Sequence, residues 1–183
     1  MPIEMGEYVV GGYLKEILNC DFVDYGVRVR GGGLAGLNEL DVLGLRFADK
    51  TAYLCEVTTH TLGLTYATYA KTIERIERKH KAQRDYASSF LRNFEHHHFM
   101  FWSPRVPVGA LTVGLEAIRG LELVINEDYA RRVKELERHV KTAKQDLGNP
   151  FLRALQILSC LRKVPEAETS TRESIKTKKL ALR

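Results

Sequence analysis

Apolar residues follow two rhythms along this chain, and the change from one to the other marks the elements. Over residues 3–18, Val9, Tyr13 or Leu14, and Ile17 recur at helical spacing and predict a first helix. Asp21–Arg30 alternates in part and is rich in Val and Tyr, which predicts a strand. Leu40–Phe47 and Ala52–Val57 predict two strands of a hairpin, joined by the short polar turn Ala48-Asp49-Lys50. From Tyr66 to Phe94 the helical period returns, with Ile73, Ile76, His80, Ala87 and Leu91 on one face. His98–Trp102 then predicts an aromatic strand closed by Ser103-Pro104, Ala110–Arg119 a short helix, and Leu121–Ile125 a strand.

Asn126 is placed to cap a long helix over 127–147, with Glu127 and Asp128 in its first turn and Gly148 at its end. Asn149-Pro150 starts a last helix through Arg162. The order is helix, three strands, helix, strand, helix, strand, helices: a mixed α/β layer fold with a hairpin inside the sheet. One domain is expected over 1–163. The stretch 164–183 is polar, charged and thin in large apolar residues, and is expected to be a mobile tail.

Composition adds limits. The chain has 183 residues and is 44% apolar, enough for one domain with a real core. No apolar run approaches 18 residues, so no membrane helix is expected. "MPIEMGEY" lacks a basic segment followed by an apolar one, so no signal peptide is expected either. Cys20, Cys55 and Cys160 form no CxxC pair and are expected as reduced core thiols of a cytoplasmic protein. The formal net charge of +5 is compatible with a polyanionic partner without requiring one.

The hairpin carries the chemistry. Strand alternation sends Glu39 and Asp41 to one side, and pairing of the two strands sets Glu56 beside Asp41. Carboxylates held together repel unless a proton is shared or a cation lies between them. A hard cation such as Mg2+ or Mn2+ suits two carboxylates and several waters. Leu40, Val42, Leu43, Leu54 and Val57 make both strands apolar enough to bury, which adds cost to unpartnered acids.

"GEYVVGGYL" on the first helix, "NELDVLG" on a strand, then a turn and "YLCEVTT" together resemble the PD-(D/E)XK nuclease superfamily. Within it they resemble the Holliday-junction-resolvase and restriction-endonuclease-like branches, over about residues 5–80 and the order of elements just after. The resemblance implies a restriction-endonuclease-like α-β-β-β-α-β core, here with extra C-terminal helices. It also implies a deoxyribonuclease-type hydrolase using Mg2+ or Mn2+, a nucleic-acid partner, DNA foremost, and room for a homodimer. Matched by position, Asp41 stands for the family aspartate, Glu56 for the first residue of its Glu-x-Lys, Glu7 for the helix glutamate, and Glu39 for an acid some branches also carry. Those four are the implied metal ligands.

The departure is Thr58, where the family has a lysine that orients the attacking water or stabilises developing charge. Threonine brings a hydroxyl without charge. Either Lys71 from the next helix or Thr58 itself takes over beside the catalytic Asp41 and Glu56, or activity is weakened or lost and the fold only binds nucleic acid.

Lys71, Arg75 and Lys79 recur every four residues and form one stripe on that helix, suited to a phosphate backbone. A solvated face is the other reading, since Glu74 and Glu77 lie among them and allow the pairs Glu74–Arg78 and Glu77–Lys81. Arg131, Arg132, Lys134, Arg138 and Lys141 are expected on a solvated face. His96–His98 are expected in a surface loop, because neighbours on a strand do not converge on one ion. His60 is expected as a structural histidine near the site. "GGGLAG" at 31–36 fits a dinucleotide pattern, but a strand follows where a helix is needed, so a flexible loop is expected. Phe99, Phe101 and Trp102 are expected in the core, and Cys55 is expected to face away from Glu56.

Overall fold

The largely apolar runs in "ELDVLGLR" and "TAYLCEV" are those of strands covered on both faces, and they form inner strands of a sheet. The computed structural model describes residues 2–28, 39–64 and 66–162. In chain order the elements are α1 (Met5–Glu16), β1 (Phe22–Arg28), β2 (Glu39–Arg46), β3 (Thr51–Val57), α2 (Tyr69–Phe90), β4 (His96–Ser103), α3 (Ala110–Glu116), β5 (Leu121–Ile125), α4 (Asn126–Val140) and α5 (Pro150–Leu161). The described residues form a five-stranded mixed sheet in the order β1-β2-β3-β4-β5. β1, β2 and β3 pair antiparallel, while β3, β4 and β5 pair parallel.

Helices cover both faces, making an α/β/α layering. On one face Val9, Val10 and Leu14 of α1, Leu136 of α4 and Leu152 of α5 pack against Val42, Cys55, Met100, Trp102 and Val124. On the other, α2 and α3 bring Ile76, Leu111 and Leu115 against Phe101, while Ala87 lies with Leu43 and Leu54. The α2 helix is held to the sheet by one polar clamp as well. Gln83 is fully buried, and its Nε2 donates to Leu54 O (2.9 Å) and Met100 O (3.1 Å) of the two central strands. Among the described residues no helix is long and apolar enough to cross a membrane.

Because β2 runs opposite to β3, the start of β2 and the end of β3 lie at one edge of the sheet, beside the end of β4. That is the side where the carboxyl ends of parallel strands receive ligands in open α/β sheets. Asp41 and Glu56 both lie at this edge.

Several sequence expectations need correction. His96–His98 belong to β4, not to a loop, and its ladder to β3 starts at the Thr51–His96 pair. His98 stacks on Tyr53 and meets Glu122 Oε1 at 2.5 Å. Asn126 does not cap α4: it is the first helical residue, and its side chain instead bonds both the N–H and the C=O of Val106. The α4 helix ends at Val140, well short of Gly148, whereas Asn149 caps α5 as expected from the sequence, accepting from Phe151 N and Leu152 N. Cys20 and Cys55 are buried, but Cys160 is exposed on the outer side of α5. Arg132 is only partly solvated, since its guanidinium rests over the rings of Tyr13 and Trp102. Lys81 pairs with Asp85, not with Glu77. The segments 31–36 and 164–183 lie outside the described residues.

Candidate active site

The hairpin register fixes the first two members. Val42 pairs with Cys55, so the next step along the ladder sets Asp41 opposite Glu56. Asp41 Oδ2 accepts from Val57 N at 2.7 Å, which ties that carboxylate to the end of β3. Glu56 is only 5% exposed, on the sheet face covered by α2, while its neighbour Cys55 packs into the opposite core.

The third member comes from α2. Lys79 Nζ lies 2.7 Å from Glu56 Oε2 and 4.0 Å from Asp41 Oδ1, and donates to Glu39 O at 3.5 Å. Its side chain is 12% exposed. One ammonium thus serves two carboxylates, and Glu56 Oε1 is buried without a hydrogen-bond partner among the described residues.

Glu7 enters from α1. Helix and strand end approach closely there, because a Cβ on Gly6 would lie 2.1 Å from Thr59 Cγ2 and 3.1 Å from Val57 Cγ1. Only glycine lets α1 carry Glu7 this near to β3. Gly6→Ala is expected to push α1 outward and to cost about 1–3 kcal/mol, the usual range for overpacking, measured by urea unfolding. Glu7, Glu39, Asp41, Lys79, Tyr25 and Gly26 line a cleft of about 280 Å³.

Electrostatics in the cleft follow from burial and a shortage of positive charge. Burial, then the charge of Asp41, pushes the Glu56 carboxyl up to about 8, against the pull of Lys79. Burial and Asp41 likewise push Glu7 up to about 7. For Lys79, burial opposes the charge, but Glu56 and Asp41 outweigh it and hold its pKa above the ordinary lysine value. Carboxylates that outnumber their cation hold extra protons, and the site would accept more positive charge.

The sequence candidates therefore divide. Asp41, Glu56 and Lys79 meet. Glu7 and Glu39 line the same cleft, but Glu39 is turned to Arg28, with Oε2 3.2 Å from its Nε. Among the described residues no three His, Cys, Asp or Glu side chains form a group that could hold a metal ion, so the four acids do not make one ready cage. Thr58 does not replace the lysine: its Oγ1 is 3.4 Å from Tyr66 OH, and its N–H donates to Trp102 O. Lys71 does not replace it either. It lies exposed in the first turn of α2, and eight residues of helix, about 12 Å, separate it from Lys79. The described part of the connection carries the chain past the end of β3 before α2 begins, so a residue nearly three turns into the helix comes level with Glu56. The four-residue stripe marked this face of α2 in the sequence; the length of that connection was the signal for choosing its last member. Arg75, the middle member, lies with its guanidinium 4.2 Å from the Tyr66 ring centroid.

Comparison with protein-family models, with curated proteins and with solved structures finds no match.

Proposed function

We propose that this chain is a divalent-metal-dependent nuclease on a PD-(D/E)XK, restriction-endonuclease-like core, hydrolysing phosphodiester bonds of nucleic acid, with DNA the first substrate to test. One observation carries the proposal: a largely buried lysine reaches the Asp41–Glu56 pair from α2 although the position two after Glu56 is a threonine. The charge that the motif lacks in sequence is supplied in space. Arg75 and Lys79, successive members of the α2 stripe, add positive charge beside the cleft.

The residues suit a hard divalent ion. Glu56 Oε1 is a buried carboxylate oxygen with no partner among the described residues, and Asp41 lies opposite it. Two carboxylates with waters are an ordinary Mg2+ donor set. Asp41 and Glu56 would hold Mg2+ or Mn2+, which would supply a Lewis acid for a phosphoryl oxygen and make a water more acidic. Lys79 Nζ offsets the negative charge that gathers on phosphorus oxygens as the water oxygen bonds to phosphorus and the ester oxygen leaves. Glu7, in the same cleft, would accept the proton that the water gives up.

The test incubates supercoiled plasmid and single-stranded DNA with Mn2+ or Mg2+. The wild type is expected to cut, and both EDTA and Asp41→Asn are expected to stop it. DNA retained but uncut by the wild type would replace this proposal with a silent binding module on the same fold. Neither retention nor cleavage would remove both.

A further inference from the structure

We propose that a second cleft, beside the acidic centre, is a subsite for the phosphate that neighbours the reacting one, formed by Thr58, His60 and Tyr66 and bordered by Arg75. The proposal rests on the nuclease function above and adds to it where the substrate strand goes.

The cleft has a volume of about 330 Å³ and is lined by Glu4, Val57, Thr58, Thr59, His60 and Tyr66. It shares Glu4 with the cleft that holds Glu7, Asp41 and Lys79, so the two adjoin, with the end of β3 between them. Thr58 N donates to Trp102 O at 2.9 Å, which keeps the chain extended beyond Glu56. Two residues of extended chain put Thr58 about 7 Å past Glu56, close to one nucleotide step along a stretched strand.

The walls are set before any ligand arrives. Tyr66 N donates to Thr72 Oγ1 at 2.8 Å, and that hydroxyl donates in turn to Thr68 O at 2.8 Å, locking Tyr66 to the first turn of α2. Arg75 lies over one face of the Tyr66 ring, and His60 meets the ring edge-on at 5.5 Å. The 3.4 Å between Thr58 Oγ1 and Tyr66 OH is too long for a good hydroxyl hydrogen bond, so both hydroxyls can turn to a ligand.

These groups choose the chemistry. Two hydroxyls, an imidazole and a guanidinium are donors suited to the anionic oxygens of a diester. A stacked base suits the site less, because Arg75 already covers a face of Tyr66. Glu4 is the single carboxylate in the lining and opposes an anion, while Arg75 on the Tyr66 ring favours one.

The test is fluorescence anisotropy of a short labelled single-stranded DNA, with Ca2+ in place of Mg2+, over a range of salt. The proteins are the wild type, Arg75→Gln, Thr58→Val and Tyr66→Phe, each checked for wild-type thermal unfolding. Arg75→Gln is expected to bind about tenfold more weakly and to reduce the salt slope by about one. Thr58→Val and Tyr66→Phe are each expected to lose about fivefold, the size of one hydrogen bond. A methylphosphonate at one position of the DNA should weaken the wild type and leave Arg75→Gln unaffected. Wild-type affinity and slope in all three variants, with cleavage intact, would overturn the subsite and leave the nuclease standing. A wild type that neither binds nor cuts DNA would overturn both.

Discussion

Lys79→Met is expected to lower the proposed DNA cleavage by roughly 100–1,000-fold, the usual loss when a fixed charge-stabilising donor is removed from a reacting centre. The same substitution destabilises the fold, since Glu56 loses its cation while remaining buried. Breaking a buried pair from one side costs up to about 3–5 kcal/mol. Here the loss falls toward the lower end, because Glu56 already takes up a proton readily. The two effects separate in a double variant. Adding Glu56→Gln to Lys79→Met replaces the stranded acid with a neutral side chain of the same shape, so urea stability recovers and cleavage does not. Adding Thr58→Lys to Lys79→Met instead returns an ammonium from the strand and restores part of the cleavage. Full activity in Lys79→Met would show that the ammonium takes no part in the chemistry.

In EDTA, the stability of the protein is expected to fall as pH rises from 5 to 8 and then to level off. The sign follows from proton uptake. Glu56 is raised from 4.5 to about 8 and Glu7 from 4.5 to about 7, so between these limits the folded chain holds protons that the unfolded chain has released. Stability from such groups is fully present below the unfolded value and is lost as pH passes through the folded one. For Glu56 the loss across this window is on the order of 3 kcal/mol. Glu7 adds less, because water still reaches it. Lys79 contributes no slope here: its pKa is raised from 10.5, so its share is lost only above that pH. Urea midpoints measured against pH check the trend, and Glu56→Gln should flatten most of it. A midpoint that stays level from pH 5 to 8 would mean that Glu56 is ionised in the folded state throughout.

Much of the architecture was legible because it follows from local rules. Two short apolar segments joined by a polar turn located both hairpin strands, and their pairing allowed Glu56 to sit beside Asp41, as the register has it. Asn149-Pro150 marked the start of α5, because its capping is local. What failed depended on contacts distant in sequence. Asn126 has the chemistry of a cap, but Val106 claims its side chain. Arg132 looked like one more solvated charge until two aromatic rings were placed beneath it. The histidines of β4 carry no strand periodicity of their own; pairing with β3 draws them into the sheet. Lys71 and Lys79 belong to the same four-residue stripe, and the two turns of α2 between them, with the rotation they bring, tell them apart.

Gln83 sits one helical turn beyond Lys79, and its amide reaches the backbone of both central strands. An oily seam alone tolerates slippage, since neighbouring apolar contacts exchange at little cost. A directed bond to two fixed carbonyls does not. The depth to which the ammonium penetrates is thus gauged by a rivet outside the cleft, and a helix displaced along its axis would withdraw the charge while leaving every acid where it was.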